Sequence, residues 1–201
     1  MNEKHKYWWF DNLSIKFIED LLKYGKQQNL VDAHIGLDED KISKEELFKK
    51  RKSKTTFLNE FWINRQLVGF MKEANQNSGW DYQLNELEPS QFTYYDSNKS
   101  FYGWHQDSHQ EVYKNQKIES LNNKIRKISC IIPLSNKEDF EGGDLEFCWI
   151  VDGEYKTWVC KEIYKKGTII FFPSYLYHRV TPVTKGERYS LVAWAVGDKF
   201  K

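Results

Sequence analysis

The stretch Gly167-Thr168-Ile169-Ile170-Phe171-Phe172-Pro173-Ser174-Tyr175-Leu176-Tyr177-His178-Arg179-Val180 contains two short apolar segments joined by a Pro-Ser turn. Its β-branched and aromatic residues are typical of strands, and the Pro-Ser pair separates one strand from the next. We therefore predict strands over residues 167–172 and 175–182. The second strand carries His178, and a single histidine in such a segment is more often a core residue than a ligand.

The same pattern of short strands continues through the second half of the chain. Further strands are predicted at 90–95, 100–107, 126–134, 143–150, 154–160 and 188–197. Many short strands at regular spacing are typical of a sandwich or barrel. Residues 14–24 and 58–74 instead carry apolar residues at helical spacing, with Ser14 as the predicted N-cap and Gly25 as the predicted stop of the first helix. Helices followed by strands indicate an α+β fold.

Composition limits the classes of function. The chain has 201 residues, 40% of them hydrophobic and 16% aromatic, with a net charge of +1. This predicts one domain with a sizeable core and no overall field that would attract nucleic acid or an acidic membrane. The three cysteines form no CxxC pair, which favours free thiols in a reducing compartment. No apolar run approaches the roughly 20 residues of a membrane helix, so we expect a soluble, cytoplasmic protein without nucleic-acid or membrane partners.

Two polar stretches need an interpretation. Residues 38–54 are highly charged and end in the basic run 49–54, which neighbouring acidic residues offset. We interpret them as a solvated loop or helix face rather than a phosphate-binding patch. Residues 108–124 are polar and lie between two predicted strands, where a long loop often acts as a lid over a site.

The candidate chemistry depends on residues that are informative only as a group. In a strand, His105 and Asp107 would point to the same face and Gln106 to the other. Two histidines and one carboxylate, completed by His178, form the facial triad that suits iron(II) and leaves open positions. Arg188 begins an apolar strand ten residues after His178, and its planar fork could bind the far end of a dicarboxylate. A zinc hydrolase with the same ligands is an alternative in which Arg188 would have no role.

Longer blocks around these residues carry a family resemblance. The blocks are Tyr94-Tyr95, Phe101-Tyr102-Gly103-Trp104-His105-Gln106-Asp107, Arg126-Lys127-Ile128-Ser129, Gly142-Gly143-Asp144-Leu145-Glu146, residues 167–174, His178-Arg179-Val180, Pro182-Val183, Gly186 and Arg188-Tyr189-Ser190. With them, residues 90–197 resemble the Fe(II)/2-oxoglutarate-dependent dioxygenases, specifically the prolyl 4-hydroxylase-like and PKHD-type hydroxylases.

The resemblance implies a double-stranded β-helix, or jelly-roll, core within one domain over residues 1–201. Residues 1–88 would be mainly helical support and residues 89–198 the oxygenase core. The triad His105, Asp107 and His178 would bind iron.

The resemblance also implies a binding site for the cosubstrate. Arg188 would form a salt bridge with the C5 carboxylate of 2-oxoglutarate. Tyr95 resembles the tyrosine that hydrogen-bonds the cosubstrate, with Tyr94 and Tyr102 as competing candidates. Ser190 resembles an assisting serine, and Trp194 would line the pocket.

The implied reaction hydroxylates a C–H bond of a prolyl or other peptidyl or amino-acid substrate and releases succinate and CO2. It uses Fe(II), 2-oxoglutarate and O2, and ascorbate is a further candidate cofactor. One departure is Pro133-Leu134, where many animal-type prolyl hydroxylases carry a tyrosine before the leucine. This departure predicts different partners in the cosubstrate pocket. Oligomeric state and substrate identity stay open.

Two alternatives share the same fold. Nucleic-acid demethylases of this superfamily typically carry a second arginine soon after the first, and none follows Arg188 before Trp194. A catalytically silent jelly-roll binding module would usually have lost a ligand, whereas all three ligands and the arginine are present here.

Overall fold

The structure, a computed structural model, describes residues 5–33, 44–108 and 111–200. Within these ranges lie three α-helices: α1 (Ile15–Lys26), α2 (Lys44–Lys50) and α3 (Phe61–Asn77). The strands are β1 (Trp8–Phe10), β2 (Val31–Asp32), β3 (Arg51–Lys52), β4 (Lys54–Leu58), β5 (Glu86–Leu87), β6 (Ser90–Asp96), β7 (Phe101–His105), β8 (Lys124–Pro133), β9 (Phe140–Gly142), β10 (Leu145–Val151), β11 (Glu154–Val159), β12 (Ile169–Pro173), β13 (Tyr177–Val180) and β14 (Val183–Asp198).

The strands form two antiparallel sheets. In the large sheet the order is β1-β12-β8-β14-β6-β4-β2, and β5 and β9 also pair with β14. In the small sheet the order is β11-β10-β13-β7-β3. The 16-residue strand β14 is the centre of the large sheet because it pairs with β8, β6, β5 and β9.

Alternating side chains divide the molecule into three layers. On β8, Ile128 and Ile132 pack with the helices α1 and α3, whereas Ile131 packs with residues of the small sheet. Strands β12 and β14 alternate in the same way, because successive side chains of a strand point to opposite faces. The large sheet therefore lies between the helices on one side and the small sheet on the other. These antiparallel layers confirm the predicted α+β jelly-roll core.

The helices agree with the prediction in position but not at their ends. Ser14 caps α1 as predicted, since its Oγ accepts a hydrogen bond from the Phe17 amide at 3.4 Å. The predicted stop at Gly25 is wrong, because α1 continues to Lys26. Gly25 is needed for packing instead, as a Cβ at this position would lie 2.2 Å from the Phe92 ring. The second predicted helix begins later than expected, because Leu58 belongs to β4.

The N-terminal part of the chain also contributes strands that the sequence did not predict. Strands β1 to β5 all precede residue 89, and β1 and β3 lie at edges of the two sheets. The interpretation of residues 38–54 as solvated is wrong at Arg51, which is buried and donates hydrogen bonds to Ser53 Oγ and Gln91 Oε1. Residues 38–43 of that stretch lie outside the described residues.

The predicted lid is packed against the large sheet where the structure describes it. Residues 109 and 110 lie outside the described ranges, and a short 3-10 helix covers Glu119–Leu121. Tyr113 and Leu121 are buried in a cluster with Val196 of β14. The three cysteines are free. In the described ranges, no helix is long and apolar enough to cross a membrane.

Candidate metal centre

Two histidines meet because their strands are neighbours in the small sheet. His178 lies on β13 directly opposite His105 at the end of β7. On its other side His178 lies opposite Phe147 of β10. Residues opposite each other on adjacent strands point to the same face. Both imidazoles therefore point between the two sheets, and their ring centroids are 4.1 Å apart.

Backbone carbonyl groups orient both rings. His105 Nδ1 lies 2.8 Å from the Gly103 oxygen, and His178 Nδ1 lies 2.9 Å from the Leu176 oxygen. A carbonyl oxygen can only accept, so each Nδ1 must carry the proton. The Nε2 atoms then present lone pairs to the space between the sheets. A histidine that binds a metal through one ring nitrogen usually donates the N–H of its other ring nitrogen to an acceptor such as a carbonyl oxygen.

Asp107 completes the cluster from just beyond the end of β7. Its amide donates to the Ser174 carbonyl oxygen at 2.8 Å. Its Oδ1 lies 3.5 Å from His105 Nε2 and its Oδ2 lies 3.6 Å from His178 Nε2. The predicted strand over 100–107 is thus too long by two residues, but the predicted convergence is present. Gln106 points away and is exposed, as expected.

Two serines fix the carboxylate of Asp107. Ser129 Oγ donates to Asp107 Oδ2 at 2.7 Å and lies 2.9 Å from Ser174 Oγ. Because the single proton of Ser129 goes to the carboxylate, Ser174 must donate to Ser129. Burial alone would raise the pKa of Asp107, but His178, His105 and Arg126 hold it well below its ordinary value. The carboxylate is therefore ionised and oriented.

Aromatic side chains surround the two histidines. The Tyr102 ring stacks on His105 with 3.5 Å between ring centroids, and Phe172 meets His178 edge-on at 4.7 Å. Arg51 lies over the other face of Tyr102 at 4.3 Å. Burial, together with the nearby His105, lowers the pKa of His178 to about 4. His178 is therefore neutral at physiological pH, the state in which imidazole binds a metal.

The three side chains fit a metal ion by their chemistry. Their ligand atoms all lie within 4.8 Å of one another. Two neutral imidazoles and one carboxylate are the donors of the 2-His-1-carboxylate triad, which suits iron(II) and leaves coordination positions for other ligands. All three ligand positions predicted from the sequence are brought together. A silent binding module would not need this arrangement.

Arg188 lies on the inter-sheet face of β14 and is buried. Its Nη1 donates to Ser190 Oγ at 3.1 Å, and in the part of the chain that the structure describes no carboxylate forms an ion pair with it. Burial lowers the pKa of Arg188, whereas Tyr95 and Asp144 act in the opposite direction. A buried guanidinium is costly without an anionic partner. Its position is therefore suited to a carboxylate ligand.

The three candidate tyrosines have different surroundings, and only one of them lies beside Arg188. Tyr95 of β6 is buried directly opposite Arg188, whose guanidinium carbon is 5.2 Å from the Tyr95 ring. Tyr94 lies on the helix side of the sheet, where it donates to Glu187 at 2.8 Å and stacks on Tyr189. Tyr102 is stacked on His105. Tyr95 is thus the candidate beside the arginine.

A small cavity adjoins Arg188 at the position of the predicted departure. Pro133 lines this cavity together with Lys137, Tyr164 and Arg188. Tyr164 donates to Asp144 Oδ1 at 2.6 Å, and Lys137 lies 3.2 Å from the same oxygen. Besides Ser190 and Tyr95, polar groups therefore reach this cavity from Lys137 in the segment after β8 and from Tyr164 in the short 3-10 helix before β12.

Sequence reasoning missed a buried ion pair near the metal centre. Arg126 of β8 forms a bidentate pair with Glu88, and its guanidinium carbon lies 3.7 Å from the Trp194 ring. Glu88 is one of two acidic residues, with Glu86, just before a predicted strand, and nothing in the sequence pattern marks it. Its burial follows from the tertiary fold alone.

Comparison with known families is consistent with this geometry. Residues 90–196 match the family model described as the 2OG-Fe(II) oxygenase superfamily. The chain belongs to this superfamily. The resemblance stated from the sequence is thereby confirmed, and the family implies Fe(II), 2-oxoglutarate and O2.

Individual members of the superfamily are similar over different lengths. A PKHD-type hydroxylase from Idiomarina loihiensis is 39% identical over 85 residues, which is 42% of this chain and 36% of that protein. One from Acinetobacter baumannii is 32% identical over 110 residues, 54% of this chain and 43% of that protein. The chain thus matches less than half the length of these curated relatives.

A solved structure shows the same fold over nearly the whole chain. The Pseudomonas putida prolyl-4-hydroxylase superposes with a TM-score of 0.66 at 18% identity, covering 98% of this chain and 94% of that one. At this identity the likeness concerns the fold of the 2OG-Fe(II) oxygenases and not the substrate.

Proposed function

We propose that this protein is an Fe(II)- and 2-oxoglutarate-dependent hydroxylase whose metal is held by His105, Asp107 and His178. The observation that carries the proposal is the convergence of two Nε2 lone pairs and one ionised carboxylate on a single point between the sheets. Family membership supports the choice of iron over zinc. Bound there, the iron would supply the activation of O2, which no side chain can perform.

Arg188 anchors the far carboxylate of 2-oxoglutarate in this proposal. It is buried, and its guanidinium fork can form two parallel hydrogen bonds with a carboxylate. Ser190 fixes one side of the fork through its 3.1 Å hydrogen bond. Tyr95 lies next to the fork and offers a phenol that can donate to the cosubstrate.

The overall reaction balances as substrate C–H plus 2-oxoglutarate plus O2, giving substrate C–OH, succinate and CO2. The protein contributes position and a dry environment. The Nδ1–H groups of His105 and His178 donate to backbone carbonyl oxygens, which leaves each Nε2 as the ring nitrogen that would bind the metal. Phe172, Phe147 and Tyr102 exclude water around the imidazoles. Ascorbate would serve as a reductant in the assay.

The proposed substrate is a prolyl residue of a peptide, with other peptidyl or free amino acids as the wider class. Support comes from the names of similar proteins, which include PKHD-type hydroxylases and a prolyl-4-hydroxylase.

The experiment measures succinate formed from 2-oxoglutarate by the purified protein with Fe(II), ascorbate and O2, with and without a panel of proline-containing peptides. Mn(II) and 2-oxoglutarate binding are measured in parallel. The variants are His178→Ala and Arg188→Ala. The matched control is Arg179→Ala, because Arg179 follows His178 but points outward, pairing with Glu146 at 2.7 Å and lying over Trp104.

We expect His178→Ala to lose both Mn(II) binding and succinate, and Arg188→Ala to bind Mn(II) but respond to 2-oxoglutarate only at much higher concentrations. Arg179→Ala should behave as the unchanged protein. If the unchanged, folded protein binds neither Mn(II) nor 2-oxoglutarate, the proposed function is wrong. Binding of both without hydroxylation of any peptide would reject only the peptidyl substrate class represented by the panel.

A further inference from the structure

A β-bulge places Arg126 on the same face as the metal centre. Between β8 and β14, Ile128 lies opposite Ala195 but Arg126 lies opposite Val196, so Lys127 is an extra residue on β8. In a regular strand, Arg126 would share the helix-facing side with Ile128. The bulge turns it to the inter-sheet side instead, and bulges commonly re-aim side chains next to active sites.

Glu88 holds the re-aimed guanidinium by two hydrogen bonds. Arg126 Nε donates to Glu88 Oε1 at 2.9 Å and Nη2 donates to Oε2 at 2.7 Å. Tyr113 donates to the same Oε1 at 2.9 Å, and the Glu88 amide donates to the Trp194 carbonyl oxygen at 3.0 Å. Glu88 is only 6% exposed. The carboxylate of Glu88 thus accepts three hydrogen bonds, two from Arg126 and one from Tyr113.

Arg126 also lies on the same face of β8 as Ser129, which holds the carboxylate that would bind the metal. Trp194, on which the guanidinium lies at 3.7 Å, is directly opposite Ser129, and Ser129 donates to Asp107. After burial and the two histidines, Arg126 is among the groups that act on the pKa of Asp107. The guanidinium of Arg126 therefore has two carboxylates on this side of the sheet as possible partners, those of Glu88 and Asp107.

We propose that Glu88 is a positioning residue. Its carboxylate keeps the guanidinium of Arg126 paired with Glu88, and this leaves the carboxylate of Asp107 available to bind the metal. The inference rests on the proposed function, because it concerns the same metal centre. Without the Glu88 charge, Arg126 is a largely buried cation, its side chain 16% exposed, with no counter-ion of its own, which is unfavourable. It then turns to Asp107, where it competes with the metal for the carboxylate and repels the metal's positive charge.

The test is a Mn(II) titration, followed by the EPR signal of the free ion, on the full chain without cosubstrate. Glu88→Gln keeps the shape of the side chain and removes its charge. The double variant Glu88→Gln/Arg126→Gln also removes the competing cation. Tyr113→Phe is the matched control, because it removes one hydrogen bond to Glu88 Oε1 and leaves both charges in place.

We expect Glu88→Gln to bind Mn(II) about 10- to 100-fold more weakly, the usual effect of losing a residue that orients a metal ligand. The double variant should recover most of that loss, whereas Tyr113→Phe should bind like the unchanged protein. If Glu88 only stabilised the fold, removing the charge of Arg126 as well would not restore Mn(II) binding. The proposal is overturned if Glu88→Gln binds normally, or if the double variant binds as weakly as Glu88→Gln.

Arg126→Gln alone keeps the test decisive if Glu88→Gln does not fold. This variant has no competing cation, so we expect it to bind Mn(II) normally even though its stability falls. Weakened binding by folded Arg126→Gln would overturn the proposal. Failure of the unchanged protein to bind Mn(II) would instead reject the proposed function, so the two failures are distinguishable.

Discussion

His105 and His178 lie opposite each other on β7 and β13, and each ring is oriented by the carbonyl oxygen two residues before it in the chain. The same local geometry thus occurs twice: the backbone two residues earlier places the proton on Nδ1, and the strand register brings the two rings together. Asp107 differs, because it lies beyond the strand and depends on side chains for its orientation. The carboxylate is therefore the ligand most open to perturbation by mutation.

Ser129→Ala should weaken metal binding without removing a ligand. It deletes the 2.7 Å hydrogen bond to Asp107 Oδ2, so the carboxylate loses its fixed orientation. We expect about a 10-fold or larger rise in the Mn(II) dissociation constant. Ser174→Ala is the control, since it removes the more distant hydroxyl and leaves Ser129 bonded to Asp107. Equal losses in the two variants would contradict this account.

Tyr95→Phe should impair the use of 2-oxoglutarate, whereas Tyr94→Phe should not. The two tyrosines are adjacent in sequence, but only Tyr95 lies on the face that carries Arg188. Loss of one hydrogen bond to a charged group costs about 1.5–3 kcal/mol, which corresponds to about a 10-fold or larger rise in KM for 2-oxoglutarate. The measurement is succinate formation against 2-oxoglutarate concentration. A larger effect in Tyr94→Phe would show that the contact comes from the other face of β6.

Gly143→Ala should disturb the arginine pocket more than the metal centre. A Cβ at Gly143 would lie 2.9 Å from Arg188 Cδ and 2.9 Å from Val183, and the residue has a φ of +62°. Gly153 has a φ of +82° and open space within 4 Å of the position that a Cβ would take, so Gly153→Ala reports the backbone strain alone. Both variants should lose about 1–3 kcal/mol of stability. Only Gly143→Ala should bind 2-oxoglutarate more weakly in a titration, with Mn(II) binding retained.

Two helical glycines should respond in opposite directions to alanine. Gly25→Ala would force a methyl group into the Phe92 ring, 2.2 Å away, and should destabilise the fold by about 1–3 kcal/mol. Gly69 in α3 has nothing within 4 Å of a Cβ, so Gly69→Ala should stabilise it by about 0.5–1 kcal/mol through backbone entropy. Urea unfolding followed by circular dichroism measures both changes. Destabilisation by Gly69→Ala would show that the exposed face of α3 has an unrecognised contact.

The meeting of the three candidate ligands could be predicted from the sequence only by taking them as a group. The two-residue spacing places His105 and Asp107 near each other at the end of β7, and His178 joined them through the family-specific blocks around it. Arg188 alone would have been placed at a rim, and it was singled out by its position ten residues after His178 and by the family resemblance. Family-specific blocks then fixed the jelly-roll core.

The remaining features depend on long-range contacts that no local pattern encodes. Arg51 is in a basic run that looks solvated, yet pairing of β3 with β7 carries its side chain over Tyr102. Arg126 reaches the metal centre only through the bulge at Lys127, which exists in the pairing of β8 with β14. Gly25 resembled a helix stop because its packing partner, Phe92, is distant in sequence.

The N-terminal strands have a consequence for how the chain can be divided. Strand β1 pairs with β12, β4 with β6 and β3 with β7, so residues before position 60 cover one edge of each of these strands. A fragment beginning at residue 89 would retain the whole segment that matches the superfamily, yet it would expose these three strand edges to solvent and to one another. Unpaired edges are templates for intermolecular pairing. The segment recognisable by sequence is therefore smaller than the unit that keeps these edges paired, and β1, β3 and β4 cover edges that would otherwise be open to pairing with another molecule.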